Sequence, residues 1–384
     1  MQTLVWTFPA IMIASVVIGW AAEVASLHIS AGLALAILAL LQTLPEFGVE
    51  AYISWSGNQH LMLANLTGSL RLFVGFGWPM VFIIHCISSR VGRARKWPAV
   101  IKMPSSFAIE ATFLWVPILY FLGIAVRNRI VEIDGVILCG MYIAYLALLN
   151  FQRIAQKGIE STDDEPEHEA DLEWVPRKIA ALSRPAQLLV FNGMFIIGGA
   201  ILYLAVHPFV EGLKSAAIAL GMTEFVFIQW VAPFASEMPE KITAFGWARK
   251  ASKVPMAIFN MVSSSVNQWT LLAGLVPLIY AMSPNRSGPI EFDQFQHVEL
   301  MLTVAQSALG ALFLADLQFA IWEAGALFIL WIVQFLKPDT REEILIATLI
   351  LIIVKLGELV LKGRWPRAWK EFIRIFKVIV TKVA

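Results

Sequence analysis

Two stretches of the sequence place a proline and a glutamate inside an apolar segment. They read Gln42-Thr43-Leu44-Pro45-Glu46 and Ser236-Glu237-Met238-Pro239-Glu240. Because proline lacks a backbone N–H and clashes with the preceding turn, each motif is expected to interrupt a helix and free carbonyl oxygens beside a carboxylate. Carboxylate and carbonyl oxygens are the ligands that hard cations such as calcium prefer. Glu46 and Glu240 are therefore candidate functional residues, since a glutamate within an apolar segment is costly unless it faces a partner or a wet cavity.

A second polar stretch follows each motif at nearly the same distance. Pro45 and Asn65 are 20 residues apart, and Pro239 and Asn260 are 21 apart. The two stretches are Asn65-Leu66-Thr67-Gly68-Ser69 and Asn260-Met261-Val262-Ser263-Ser264-Ser265. Their small residues permit close helix packing, and their amide and hydroxyl groups offer further oxygen ligands. Simple helix kinks at the two prolines are the alternative interpretation, but they do not explain the repetition.

The segments that must position these motifs are strongly apolar. Of the 384 residues, 58% are hydrophobic and 15% are charged, which is typical of a polytopic helical membrane protein. We distinguish about eleven runs long enough to cross a bilayer. They lie near 3–22, 31–56, 62–89, 106–126, 133–152, 187–206, 215–247, 255–282, 298–316, 319–336 and 342–361. A net charge of +1 and the lack of any reader motif argue against nucleic acid as a partner.

One long polar linker divides the chain. We expect residues 1–152 to form a five-helix half with the first repeat, 153–186 an acidic cytoplasmic linker, 187–337 a second five-helix half with the second repeat, and 338–384 an additional transmembrane helix and a basic amphipathic tail. Because five is odd, the second half enters the membrane from the opposite side. The predicted fold class is thus an all-α polytopic membrane protein with two inverted five-helix repeats plus an additional C-terminal helix.

The basic residues predict the orientation of the chain. One alternating set of loops, together with the tail, carries 20 Lys and Arg residues, whereas the opposite set carries 6. The basic side faces the cytoplasm in most membrane proteins. We therefore expect an integral protein of the cell (inner) membrane with its N-terminus outside and its C-terminus cytoplasmic. The tail from 364 to 384 mixes basic and aromatic residues, which favours a helix lying on the inner leaflet over a disordered segment.

The repeated pattern resembles a known family. A Pro-Glu pair preceded by polar residues, followed by a turn and an Asn-x-x-Gly-Ser-type helix and repeated in an inverted half, is similar to the paired alpha repeats of the sodium/calcium exchanger superfamily of cation/calcium antiporters. The resemblance covers roughly residues 31–80 and 225–278. It implies that Glu46 and Glu240 are the central calcium-binding carboxylates.

The resemblance also implies a set of residues that line the ion site. They are Gln42, Thr43, Ser236 and Glu237 from the unwound turns, Ser69 and Ser264 from the facing helices, and the nearby polar side chains Asn65, Asn260 and Gln268. No cofactor is implied beyond the transported Ca²⁺, Na⁺ and H⁺.

The chain departs from the family pattern, which makes it a divergent member. Phe73 and Gln268 stand where the family usually has Asn or Asp, and Glu237 replaces a hydroxyl residue. Arg71 and Lys241 lie close to the motifs, where we expect them to snorkel or to pair with a carboxylate rather than to bind an anion. Fewer oxygen ligands predict fewer bound sodium ions, and the added carboxylate of Glu237 predicts that protons take part in counter-transport.

These features predict a secondary active antiporter rather than an enzyme. We expect it to exchange calcium for sodium, protons or both by alternating access, with inorganic cations and the lipid bilayer as its partners. A sodium/proton exchanger and a degenerate, non-transporting homologue are the alternatives. An intramembrane hydrolase in which Glu237 and Glu240 activate water would need a histidine or metal partner that the sequence does not offer. The oligomeric state is not determined by these patterns.

Overall fold

The apolar runs fold into helices, and each predicted run contains at least one of them. The structure is a computed structural model, and it describes residues 2–26, 40, 43–91, 98–157, 174–361 and 366–383. Among these described residues, six helical segments are long and apolar enough to cross a membrane: Thr3–Ala25, Gln59–Ser89, Ser105–Arg127, Glu132–Gln152, Arg184–Ala219 and Pro338–Leu361. The predicted all-α polytopic class is confirmed.

The first half contains helices of very different length. They are α1 (Gln2–Ser26), α2 (Leu44–Ser56), α3 (Gln59–Leu72), α4 (Trp78–Val91), α5 (Ala108–Phe113), α6 (Trp115–Arg127) and α7 (Glu132–Lys157). A π-helical turn, Phe73–Gly77, joins α3 to α4 without a break.

The second half repeats this order. The short helix α8 (Trp174–Ala180) lies in the linker, and the helices of the second half are α9 (Arg184–Ala219), α10 (Glu224–Ser236), α11 (Met238–Ala248), α12 (Val254–Asn267), α13 (Ala273–Met282), α14 (Gln294–Phe313) and α15 (Ile321–Leu336). A π-helical turn, Gln268–Leu272, again joins two helices, here α12 and α13. The additional helix α16 (Arg341–Leu361) and the tail helix α17 (Arg367–Val383) follow.

The break between the sixth and seventh apolar runs differs from the prediction. Helix α9 continues to Ala219, so residues 207–214, including Lys214, are helical rather than part of a loop. Pro208 lies inside this helix but does not end it. Residues that follow the proline, among them Phe209 and Leu213, are buried and stabilise the segment as part of the helix. The helix ends where Gly221 adopts a left-handed conformation with φ of +66°.

Two short strand pairs tie the halves together at their loops. Strand β1 (Val100–Lys102) pairs antiparallel with β4 (Gln318–Ala320), and β2 (Arg129–Ile130) pairs with β3 (Ile290–Glu291). The alternation of the predicted spans places β1 and β4 on one side of the membrane and β2 and β3 on the opposite side. The pairing therefore agrees with the inverted arrangement of the halves, although it does not identify the cytoplasmic side.

The structure describes both ends of the predicted linker and most of the predicted tail. The linker, 153–186, contains the end of α7 and the short helix α8, which packs on α1, and its acidic stretch 158–173 lies outside the described residues. The tail forms α17, whose N–H of Ala368 donates to the carbonyl of Ala315 at 2.9 Å. Its basic residues Lys370, Arg374 and Lys377 are exposed. Its association with the inner leaflet stays a prediction.

Helices α3 and α10 cross closely at the middle of the molecule. A Cβ atom added to Gly68 on α3 would overlap the backbone carbonyl of Gln229 on α10. Only glycine permits this approach, which brings the Ser69 side chain of the first half towards the acidic motif of the second half. The candidate site lies at this crossing.

Candidate cation-binding site

The second acidic motif interrupts a helix over a single residue. Helix α10 ends at Ser236 and α11 begins at Met238, with Glu237 between them. The Glu237 N–H still donates to the carbonyl of Pro233 at 2.9 Å, and the Lys241 N–H donates to the Glu237 carbonyl at 3.3 Å. The predicted unwinding is therefore narrower than expected, because main-chain hydrogen bonds cross the junction.

The first acidic motif begins helix α2. Thr43 precedes the helix, and Glu46 lies in its first turn, where the helix dipole favours negative charge. The Thr43 hydroxyl donates to the carbonyl of Leu40 at 2.8 Å and accepts from the Asn267 amide at 2.8 Å. Gln42 lies outside the described residues, so its predicted role stays untested.

Glu46 and Glu237 meet at one serine. The Ser69 hydroxyl lies within hydrogen-bond reach of both carboxyl groups, and its oxygen is 2.5 Å from Oε1 of Glu237. The Gln268 amide nitrogen donates to both oxygens of Glu46, at 3.0 Å and 2.9 Å, and to Oε1 of Glu237 at 3.1 Å. All four side chains are fully buried. Residues from both halves therefore form one polar cluster, as the paired motifs predicted.

Glu240 adds a third carboxylate to this cluster. It is fully buried and interacts electrostatically with Glu46 and Glu237. Neither of its carboxylate oxygens has a hydrogen-bond partner among the described residues, and the same holds for the Ser264 hydroxyl and the Gln268 carbonyl oxygen. Buried oxygens are normally satisfied, so the unpaired oxygens of Glu240 and Gln268 in this cluster are suited to binding a hard cation.

The two basic residues near the motifs each pair with a carboxylate, as predicted. Lys241 donates to Glu237 one helical turn before it, and its ammonium lies 4.9 Å from the centre of the Phe73 ring. Arg71 instead pairs with Glu299 of α14, away from the central carboxylates. Only Lys241 therefore belongs to the candidate site.

Three of the predicted lining residues have no hydrogen bond to the Ser69 cluster among the described residues. The Ser236 hydroxyl donates back to the carbonyl of Ala232 at 3.0 Å, within its own helix. The Asn65 amide donates to Glu50, one turn beyond Glu46 on α2. The Asn260 amide nitrogen has no hydrogen-bond partner in the described part of the chain. The structure does not bring these three side chains into the Ser69 cluster.

Two buried residues near the Thr43-to-Glu46 segment, Asn267 and Glu50, were not predicted from the sequence as part of the site. Asn267, at the end of α12, donates a hydrogen bond to the Thr43 hydroxyl. Glu50 lies on α2, and one of its carboxylate oxygens has no hydrogen-bond partner among the described residues. The i, i+4 spacing of Glu50 from Glu46 was a usable signal, because such residues share a helix face. Asn267 offered no comparable signal.

The two π-helical turns occupy equivalent places in the halves. One begins at Phe73, four residues after Ser69, and the other begins at Gln268, four residues after Ser264. Such turns are frequent at functional sites because the extra residue rotates the side chains that follow. Phe73 and Gln268, two of the residues at which the chain departs from the family pattern, therefore start these turns.

Known proteins resemble this chain in sequence and in fold. The sodium/calcium exchanger protein family model matches residues 2–151 and 191–336. The crystal structure of the H⁺/Ca²⁺ exchanger CAX is 30% identical, with a TM-score of 0.87 over 99% of this chain and 92% of that chain. The sodium-calcium exchanger NCX_Mj, soaked with sodium and strontium, is 18% identical with a TM-score of 0.55 over 88% of this chain and 97% of its own, which shows a shared fold. A comparison with curated protein sequences found no match.

Proposed function

Because this chain belongs to the sodium/calcium exchanger family of cation antiporters, we propose that it exchanges calcium for protons by alternating access. Members of this family are membrane transporters and not enzymes. The likeness to an H⁺/Ca²⁺ exchanger supports the choice of ions, and the buried carboxylates supply the chemistry. Glu46 and Glu240 are proposed as the calcium ligands, with Ser264 and Gln268 adding neutral oxygens.

The number of hydrogens at Ser69 is the observation that supports proton transport. A serine hydroxyl has one hydrogen, so it can donate to only one of the two carboxyl groups that it contacts. The other contact is a hydrogen bond only if that carboxyl carries a proton and donates to the Ser69 oxygen. The Gln268 amide provides one hydrogen to each carboxyl and cannot supply the missing one. The cluster is thus arranged to hold a proton between Glu46 and Glu237.

The charge of the site supports the same exchange. Three ionised carboxylates and one ammonium, Lys241, would leave two negative charges in a fully buried cluster. Such charge is costly in a membrane interior unless it is neutralised. One calcium ion or two protons would neutralise it equally, so we propose two protons for each calcium.

Glu237 is the proposed coupling group. It contacts Ser69, Gln268 and Lys241 but is not one of the proposed calcium ligands. Its proton would leave when calcium binds, with Lys241 supplying the counter-charge. We further propose that the N-terminus is outside and the C-terminus cytoplasmic, in the cell (inner) membrane.

Calcium uptake into proteoliposomes tests this function. We expect vesicles with an acidic lumen to take up calcium without sodium, since proton efflux drives calcium entry. Glu237→Gln should lose the response to the pH gradient. Because that change leaves the Lys241 ammonium without its carboxylate, the double variant Glu237→Gln/Lys241→Met should be measured beside it. Glu323→Gln, which removes a buried carboxylate outside the cluster, is the control for folding.

Specific outcomes would overturn the proposal. Calcium uptake that ignores the pH gradient and depends wholly on sodium would contradict proton exchange. Sodium flux without calcium flux would favour the sodium/proton exchanger, and no cation flux would favour a non-transporting homologue. An unchanged pH response in both Glu237 variants would remove that residue from the coupling step.

A further inference from the structure

We infer that the Lys241 ammonium is a tethered cation that replaces a transported monovalent ion and makes exchange independent of sodium. This inference rests on the proposed function and adds a residue that determines ion specificity. Lys241 is 1% exposed and lies on α11, one turn after Glu237. Its charge also acts on Glu46 and Glu240.

The surroundings of the ammonium are those of a small bound cation. On one side Nζ donates to the Glu237 carboxylate, and on the other it faces the Phe73 ring at 4.9 Å. A carboxylate and the face of an aromatic ring are both favourable contacts for a desolvated cation. The first half contributes the ring and the second half the carboxylate, so the ammonium lies between the two repeats.

The two halves offer different side chains at the equivalent positions where the π-helical turns begin. Phe73 and Gln268 begin equivalent π-helical turns, but the phenylalanine offers no oxygen ligand whereas the glutamine offers an amide. The oxygen-rich position near Gln268 suits a metal ion. The position over Phe73 suits an organic cation, and Lys241 provides one from within the chain.

A tethered ammonium differs from sodium because it cannot leave. Whenever Glu237 is ionised, Lys241 balances its charge without recruiting an ion from solution. A buried carboxylate that loses its partner is strongly disfavoured, so it will take up another small cation. Removing Lys241 while keeping Glu237 should therefore create a sodium site, and removing both should not.

The test compares Lys241→Met with the double variant Glu237→Gln/Lys241→Met in purified protein. Sodium binding is measured by titration calorimetry at alkaline pH, where protons compete least, with choline chloride as the ionic control. The native protein and the double variant should show no sodium binding, whereas Lys241→Met should gain it. In proteoliposomes sodium should raise calcium uptake by Lys241→Met relative to choline while leaving the native rate unchanged.

The outcomes separate this inference from the proposed function. No calcium uptake by the native protein in a pH gradient contradicts the proposed function, and the binding measurement still decides the role of Lys241. Sodium binding to the native protein, or none to a folded Lys241→Met variant, overturns the inference. If that variant does not fold, Lys241→Ala takes its place, and a sodium requirement in the native protein remains a refutation.

Discussion

The buried ion pairs around Glu299 predict unequal losses of stability when their members are replaced one at a time. Glu299 lies on α14 and is fully buried. It pairs with Arg71 from α3 and with Arg341, which begins α16. Arg341 was expected in a loop, but it is 7% exposed and attaches the additional helix to the core. The cluster thus contains two guanidinium groups and one carboxylate.

The magnitudes follow from the charge that each replacement leaves behind. Glu299→Gln leaves two buried guanidinium groups without an anion, and breaking a buried pair from one side costs about 3–5 kcal/mol. Arg71→Met or Arg341→Met leaves one carboxylate facing one guanidinium, so the loss is that of the three hydrogen bonds made by the replaced guanidinium, about 2–4 kcal/mol in all. For Arg71 this includes its 2.6 Å bond to Gln334. We expect Glu299→Gln to be the most destabilising of the three by about 1 kcal/mol or more, because it alone leaves two buried charges unpaired.

Equilibrium unfolding in mixed micelles measures this difference. The free energy of unfolding is obtained for each variant by titration with a denaturing detergent, at one lipid composition and pH. Glu323→Gln is the matched control, because Glu323 pairs with Lys355, whose ammonium also contacts Glu358 at 3.3 Å and so keeps an anion. If Glu299→Gln destabilises the protein no more than either arginine replacement does, the charge argument is wrong.

Three further predictions concern the site, the packing and the topology. Glu46→Gln and Glu240→Gln should each abolish calcium transport in a protein that still elutes as a folded species, because each removes a proposed ligand charge; full activity in either contradicts the assignment. Gly68→Ala should destabilise the protein by about 1–3 kcal/mol or more in the same unfolding assay, since its methyl group meets the Gln229 carbonyl. A cysteine replacing Asp164 should react only with reagents that enter the cytoplasm, and labelling from outside intact cells would reverse the proposed orientation.

Features that depend on local sequence were predictable. The bilayer requires long apolar helices, so composition and run length alone predicted the polytopic class and the two repeats. Proline and glutamate inside such runs indicated the position of the candidate site, because both are costly there without a function. The pairing of Lys241 with a carboxylate was also predicted, and the structure identifies that carboxylate as Glu237, four residues earlier on the same helix face.

Contacts between residues that are distant in the chain could be identified only from the tertiary structure. Ser69 and Glu237 are 168 residues apart, and Arg71 and Glu299 are 228 apart. Nothing in their local sequences indicated that Ser69 would join two carboxyl groups while Arg71, two residues later, would point to another cluster. Successive helix positions face different neighbours, and which neighbour is present depends on how the two halves pack against each other. The sequence determined which residues bear charge within the apolar segments, and the packing of the two halves determined which of them lie in one cluster.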